Sequence, residues 1–208
     1  MRLRKKHFAI PELKENPKVD FEAKENKGHW QEIFNNKNDI YLEIGSGKGG
    51  FISQMAENNK DINFVGIDFE TNALVYAGRK LKDLEVENAR LLPINAEKLS
   101  EIFDNEISKI YINFCNPWPK NRQHKRRLTH PRFLEIYKKI LKKDSIIQLK
   151  TDDLDFFNDS LKYFEDSGFE KLEVDYDKKI EGEDYIVTEY ESKWRERNIP
   201  IKFAKFKF

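Results

Sequence analysis

The chain is short of several things, and each shortage closes a route. It has 208 residues and a single cysteine, Cys115, so no disulfide can form within it. One cysteine with 4 histidines argues against structural zinc, and no metal is expected. No apolar run approaches the roughly 20 residues that span a bilayer, so no membrane is expected. Met1 to His7 is basic, but the apolar core of a signal peptide does not follow it, and the expected address is the cytoplasm. Net charge is nearly missing too. Lys and Arg number 38 against 37 Asp and Glu, a balance of +1, so only local clustering can mark a polyanion binder. There is no internal repeat and no low-complexity linker. What is present is 38% hydrophobic residues, with 16 Phe, and 36% charged residues: enough for a sizeable core under a densely charged surface.

Residues 1–38 are polar and read as a basic, polar arm with a short helix around Phe21–Phe34, ahead of one domain over residues 39–208. Beyond the arm, short apolar runs alternate with helical patterns. Strands are expected at Ile40–Ile44, Phe64–Ile67, Arg90–Ile94, Ile110–Phe114 and Ser145–Leu149. Helices are expected at Lys48–Asn59, Asn72–Leu84, Pro131–Leu141, with Pro in its first turn, and Leu154–Ser167, closed by Gly168. The tail holds strands at Phe169–Val174 and Ile201–Phe206. This alternation predicts an α/β fold with a mostly parallel sheet and helices on both faces. Ligands in such folds bind beyond the carboxyl ends of the strands. Five distinctive sets fall on that edge: Gly45–Gly50, Asp68, Asn95, Asn116–Pro119 and Lys150–Asp152.

Glu43-Ile44-Gly45-Ser46-Gly47-Lys48-Gly49-Gly50 follows the first strand and opens a helix. Glycines let the backbone turn sharply and approach a ligand. Gly45-x-Gly47-x-x-Gly50 with Asp68 roughly 20 residues on satisfies a dinucleotide pattern, in which the acid meets ribose hydroxyls. NAD and S-adenosylmethionine both present such a ribose. Glu43 favours the second, because a carboxylate there faces the donor's positively charged amino-acid end and repels a pyrophosphate. Asn95 can contact adenine or cap the helix after it, and Asp68 also suits a helix N-cap. No Walker phosphate loop is present, since no Gly-Lys-Ser/Thr follows at the required spacing.

Asn113 to Arg127 is the most unusual stretch. Pro117 and Pro119 bracket Trp118 and fix the backbone around it. Lys120, Arg122, Lys125, Arg126, Arg127 and Arg132 follow with no acid among them. Arg122, Lys125, Arg126 and Arg127 are expected to meet RNA phosphates, while aromatic rings stack on unpaired bases. The plainer alternative is a solvated basic loop beside a core Trp. Its place at the donor edge favours the RNA reading. Cys115 reads as packing and His124 as surface. Thr188-Glu189-Tyr190-Glu191 can accept from a guanine edge, or start a helix with Thr188 as cap and Glu191 completing a capping box.

With these residues in view, the sequence resembles the tRNA (guanine-N7)-methyltransferase family from about Ile40 to Phe208. The specific elements are Asn113-Phe114-Cys115-Asn116-Pro117-Trp118-Pro119-Lys120 running into Lys125-Arg126-Arg127-Leu128-Thr129, then Lys150-Thr151-Asp152, then Thr188–Glu191. The resemblance implies a seven-stranded, Rossmann-like S-adenosylmethionine-dependent methyltransferase. It implies donor contacts at Glu43, Asp68, Asn95 and Asn116; the glycine loop adds expected donor contacts at Gly45 and Gly47, and Asn116 is the residue expected at the reacting centre. It implies substrate contacts at Lys120, Asp152, Thr188, Glu189, Tyr190 and Glu191, with the variable-loop guanine of tRNA as substrate. Two positions depart from the family pattern: Asn116 and Asn95 are amides where the family usually has Asp. Competing readings are an amino-group methyltransferase acting on a base, disfavoured because Pro119 follows the aromatic, a non-catalytic RNA-binding module, and an NAD oxidoreductase, disfavoured by Glu43. Monomer and homodimer are both open.

Overall fold

The computed structural model describes residues 6–181 and 185–208. The first five residues of the expected arm lie outside the described residues. In chain order the elements are α1 (Ala9–Glu15), a 3-10 turn (Ala23–Asn26), α2 (Trp30–Ile33), β1 (Ile40–Ile44), α3 (Gly50–Asn58), β2 (Asn63–Ile67), α4 (Thr71–Asp83) and β3 (Ala89–Leu92). A 3-10 turn (Ala96–Lys98) leads to α5 (Leu99–Ile102) and β4 (Ile107–Asn113), and another (Asn121–Arg126) to α6 (Pro131–Lys138). Then come β5 (Leu141–Thr151), α7 (Leu154–Asp166), β6 (Glu170–Asp175), α8 (Glu189–Arg195) and β7 (Lys202–Lys207).

The strands form one seven-stranded sheet in the order β3-β2-β1-β4-β5-β7-β6. The first five in that order are parallel, and β7 runs antiparallel to both β5 and β6. This is the seven-stranded, mostly parallel, Rossmann-like arrangement that the sequence predicts. Alternation along the strands splits the core in two. Val65, Ile67, Leu92, Ile110 and Ile112 pack with residues of α5, α6 and α7. Phe64, Leu91 and Tyr111 point the other way and pack with α1, α3 and α4. Strands buried on both faces must be apolar at successive positions, which is why they stand out as short continuous runs.

Several boundaries differ from expectation for local reasons. Helix α3 starts at Gly50 instead of Lys48 because Gly49 is left-handed, at φ 74°. Strand β4 ends at Asn113 because Phe114 turns to φ 49°. Strand β5 begins at Leu141, where the sequence predicts the end of a longer α6. Its start is masked in sequence by Lys142, Lys143 and Asp144, of which Lys143 and Asp144 face solvent, the latter at φ 64°.

The segment before β1 is packed onto the sheet. Helix α1 lays Ala9 and Leu13 into the core against α4. Residues 18–20 run along the outer edge of β3: the Leu91 amide donates to the Lys18 carbonyl at 2.8 Å, and the Asp20 amide donates to the Leu91 carbonyl at 2.9 Å. The helix expected over Phe21–Phe34 is instead a 3-10 turn and the short α2, separated at Gly28, which is left-handed at φ 81°. Trp30 is 0% exposed. Its ring lies 5.0 Å from that of Phe103, and its indole N–H donates to the Ile102 carbonyl at 3.0 Å.

Removing that ring leaves a cavity under β1 and β4. Trp30→Ala is expected to cost about 3–5 kcal/mol of stability, read as a lower denaturant midpoint. An unchanged midpoint would show that this segment is not part of the cooperative unit.

Candidate functional site at the carboxyl edge of the sheet

Strand order reverses between β1 and β4, so the chain leaves these neighbours toward opposite faces and opens a cleft. After β1 the backbone turns through Gly45, Gly47 and Gly49 at φ 86°, 52° and 74°. The Gly47 amide donates to Asp68 Oδ2 at 2.9 Å, while the Glu70 amide donates to Asp68 Oδ1 at 2.8 Å. Asp68 therefore ties the glycine loop to the end of β2. Burial raises its carboxyl pKa, opposed by those two amides. At Gly49 a Cβ would lie 2.5 Å from that of Ala77, so only glycine allows α3 to approach α4 this closely.

Two cavities meet along the cleft. The larger, about 760 Å³, is lined by Asp68, Phe69, Asn95, Asn116, Trp118 and Arg126 among others. The smaller, about 510 Å³, is lined by Glu43, Gly47, Lys48, Asn113, Thr188 and Tyr190 among others. Gly45 and Phe114 line both. Glu43 is buried at the inner wall. Asn113 Nδ2 donates to its Oε1 at 3.4 Å, whereas Glu43 Oε2 and Asn113 Oδ1 have no partner. Burial pushes the Glu43 carboxyl up to about 8, opposed in part by Asn113 and Ser46.

The structure distributes the predicted residues as follows. Glu43, Gly45, Gly47, Thr188, Glu189 and Tyr190 line the smaller cavity. Gly45, Asp68, Asn95, Asn116, Arg122, Lys125 and Arg126 line the larger. Asn95 Oδ1 accepts from the Glu97 amide at 3.0 Å and so caps the turn after β3 while facing the cavity. Asn116 Oδ1 accepts from the Trp118 amide at 3.1 Å, a local bond that helps hold Trp118 at φ 43°. The Arg126 guanidinium lies 5.1 Å from the Trp118 ring centre. Lys120 is exposed and Asp152 half-buried, and neither lines these two cavities. Burial raises the Asp152 carboxyl. Cys115 lines the larger cavity as a protonated thiol, pushed up to about 12 by burial.

Two expected ligand contacts point inward instead. Arg127 is 2% exposed. It donates from Nε to the Pro117 carbonyl at 2.7 Å and from Nη1 to Asp159 at 2.6 Å, so it braces the Asn-Pro-Trp-Pro turn against α7 and does not face RNA. Glu191 is 0% exposed. Its carboxylate accepts from Lys150 at 3.2 Å, from Tyr185 at 2.6 Å and from Arg195 at 2.6 Å. With those donors in place it holds α8 to the sheet. Its amide still bonds to Thr188 Oγ1 at 3.0 Å, so only half of the expected capping box forms. Burial lowers the Lys150 ammonium to about 8 against the pull of Glu191.

Sequence reasoning missed three residues of the cleft. Phe69, 73% exposed, stands at the larger cavity directly after Asp68; an aromatic beside a strand-end acid was the signal. Phe114 packs against Tyr190 at 5.5 Å between ring centres. Asn113, read as part of a strand, turns its amide to Glu43.

Comparison with known proteins bears on this edge. A sequence model of a family described as putative methyltransferase matches residues 37–204. The tRNA (guanine-N(7)-)-methyltransferase of Clostridium novyi (strain NT) is 54% identical over 216 residues, covering 100% of both chains. The enzyme of that name from Clostridium botulinum (strain Hall) is 50% identical, covering 99% of this chain and 98% of the relative. Among solved structures, the 16S rRNA methyltransferase KamB superposes with a TM-score of 0.69 at 12% identity, covering 91% of this chain and 94% of that one. At that identity the likeness shows the fold.

The inward setting of Arg127 has a measurable consequence. Arg127→Gln leaves the Pro117 carbonyl and Asp159 without their charged donor, and a loss of about 2–3 kcal/mol of stability is expected. A wild-type midpoint in chemical denaturation would return Arg127 to the surface.

Proposed function

Because the chain belongs to the tRNA (guanine-N(7)-)-methyltransferase family, we propose that it moves a methyl group from S-adenosylmethionine to N7 of a guanine in the variable loop of tRNA. The observation that carries this reading is one sheet edge combining an acid-walled cleft with a basic turn around Trp118. The chain's residues fit the donor. Glu43 keeps a buried oxygen without a partner beside the smaller cavity, suited to a cationic amino-acid end. Asp68, Phe69 and Asn95 line the neighbouring cavity with a ribose acceptor, a ring and an amide, as an adenosine requires. Such a role belongs in the cytoplasm, where tRNA is found. No helix among the described residues is long and apolar enough to cross a membrane.

When bound, S-adenosylmethionine supplies a methyl group already activated by its sulfonium. Guanine N7 has a lone pair and no proton, so the chain need not provide a base. What it must do is align the two atoms and exclude water. Asp68 and the glycine loop fix one partner from the β1–β2 side. Asn116, held by its bond to Trp118 at the mouth of the larger cavity, meets the other from the β4 side. An amide there keeps an acceptor oxygen without a charge. Trp118, with Arg126 against it, offers a face on which a base drawn from its stack can rest. Lys120, Arg122 and Lys125 continue the positive surface along the backbone path.

Incubation with bulk tRNA and methyl-labelled donor, followed by digestion to nucleosides, is expected to place the label in 7-methylguanosine. Label in another nucleoside, or in none, overturns the reading. In the same protein Asp68→Ala is expected to weaken donor affinity by about 10- to 100-fold, the equivalent of one charge-assisted hydrogen bond of roughly 1.5–3 kcal/mol.

Binding of tRNA is expected to weaken with salt. Replacing Lys125 and Arg126 together by Gln should reduce the log–log salt slope by about 0.7–0.9 for each phosphate no longer neutralised. Filter binding at several salt concentrations measures it, and an unchanged slope would make the turn a solvated surface.

A further inference from the structure

Glu43 and Asn113 stand side by side at the ends of β1 and β4: Asn113 Nδ2 donates to Glu43 Oε1 at 3.4 Å, while Glu43 Oε2 and Asn113 Oδ1 are buried without a hydrogen-bond partner. An unmet buried acceptor is rare, and two adjoining ones call for a common donor. Both residues line the smaller cavity, so a cation entering it can supply that donor. An ammonium has three N–H groups and suits a carboxylate and an amide oxygen together. We propose that Asn113 is a donor-binding residue that forms, with Glu43, a two-acceptor site for the ammonium of the methyl donor's amino-acid end, and that filling this site releases a proton from Glu43 to solvent. The inference rests on the donor reading above.

The proton count follows from the surroundings of Glu43. Burial raises its carboxyl to about 8, so in the empty site at neutral pH it carries a proton. Asp68, just after β2, adds a like charge that favours the acid. Tyr111 is the register partner of Glu43 on β4, and Asn113, Ser46 and the backbone of Ile52 on α3 oppose the rise. From the glycine loop and α8, Lys48, Glu189 and Lys193 line the same cavity. An arriving ammonium makes the carboxylate the favoured form, and the acid proton leaves. Between pH 6 and 7 donor affinity should therefore rise by about tenfold, the slope of one released proton, and by only about fivefold from pH 7 to 8 as the carboxyl begins to ionise by itself. Above about 8 the donor's own amine loses its proton and affinity should fall again.

Titration calorimetry of the full chain at pH 6, 7 and 8, each in two buffers of different ionisation enthalpy, tests this with two probes. S-adenosylhomocysteine keeps the ammonium and lacks the sulfonium; 5′-methylthioadenosine keeps the adenosine and sulfur and lacks the amino acid. We expect S-adenosylhomocysteine to release close to one proton at pH 7 and 5′-methylthioadenosine none. Glu43→Gln should abolish the release. Asn113→Ala should weaken S-adenosylhomocysteine by tenfold or more and leave 5′-methylthioadenosine unchanged, and that unchanged affinity also reports that the variant has folded. Asn113→Ser, which restores an oxygen, should recover part of the loss. Binding of S-adenosylhomocysteine without proton release, or an Asn113→Ala effect equal for both probes, overturns the inference and leaves the donor reading intact. Failure of both probes to bind the wild-type chain overturns the donor reading itself.

Discussion

Parallel strands end on a common edge, and in this sheet β1, β2 and β4 bring their last residues within reach of one another there. The reversal of strand order between β1 and β4 sends the following chain to opposite faces, so the space above those ends stays open. A carboxylate on β1, another after β2 and an amide turn after β4 then look into one cleft although about 70 residues separate the first from the last. The bond from the Gly47 amide to Asp68 keeps the cleft narrow, because it fastens the loop after β1 to the end of β2. Without a backbone that can turn through three left-handed glycines, that amide would not point at Asp68.

The sheet and this edge were legible in the sequence because both depend on local signals. Strands buried on two faces appear as short apolar runs, and Gly45–Gly50 marks a turn whatever surrounds it. What was not legible depends on which way a residue rotates. Arg126 and Arg127 are adjacent and chemically alike, yet the 3-10 turn that ends between them leaves Arg126 over Trp118 and sends Arg127 to Asp159. A basic run read along the chain gives no sign of that division. Glu191 misleads for a related reason: its helical spacing from Thr188 is visible, but the Lys150, Tyr185 and Arg195 groups that absorb its charge converge only in three dimensions. The segment before β1 resembles an arm because α1 and α2 are short and their apolar residues few, and only packing against α4 and Phe103 makes them structural.

Burial sorts charge in this protein more strictly than composition does. Lys150 and Glu191 form an ion pair with side chains 2% and 0% exposed, and burial of this kind stabilises little by itself while making loss of either partner costly. Its value is in position. Fixing Glu191 fixes the first turn of α8, and with it Thr188, Glu189 and Tyr190 along one rim of the cleft. Arg127 does the same on the opposite side by holding Pro117. Glu191 and Arg127, both turned inward, are the charged residues that hold the two rims of the cleft in place.

An open sheet has two free margins, and an uncovered margin is a template on which another chain can add a strand. Residues 18–20 occupy the β3 margin, taking up both the N–H and the C=O of Leu91. The β6 margin has no such cover among the described residues and is guarded by charge, with Glu170, Lys171, Glu173 and Asp175 spaced along its six residues. The polar segment ahead of the first strand thus acts as a selvage: its short pairing with β3 takes up backbone groups on one margin, while charged side chains line the other.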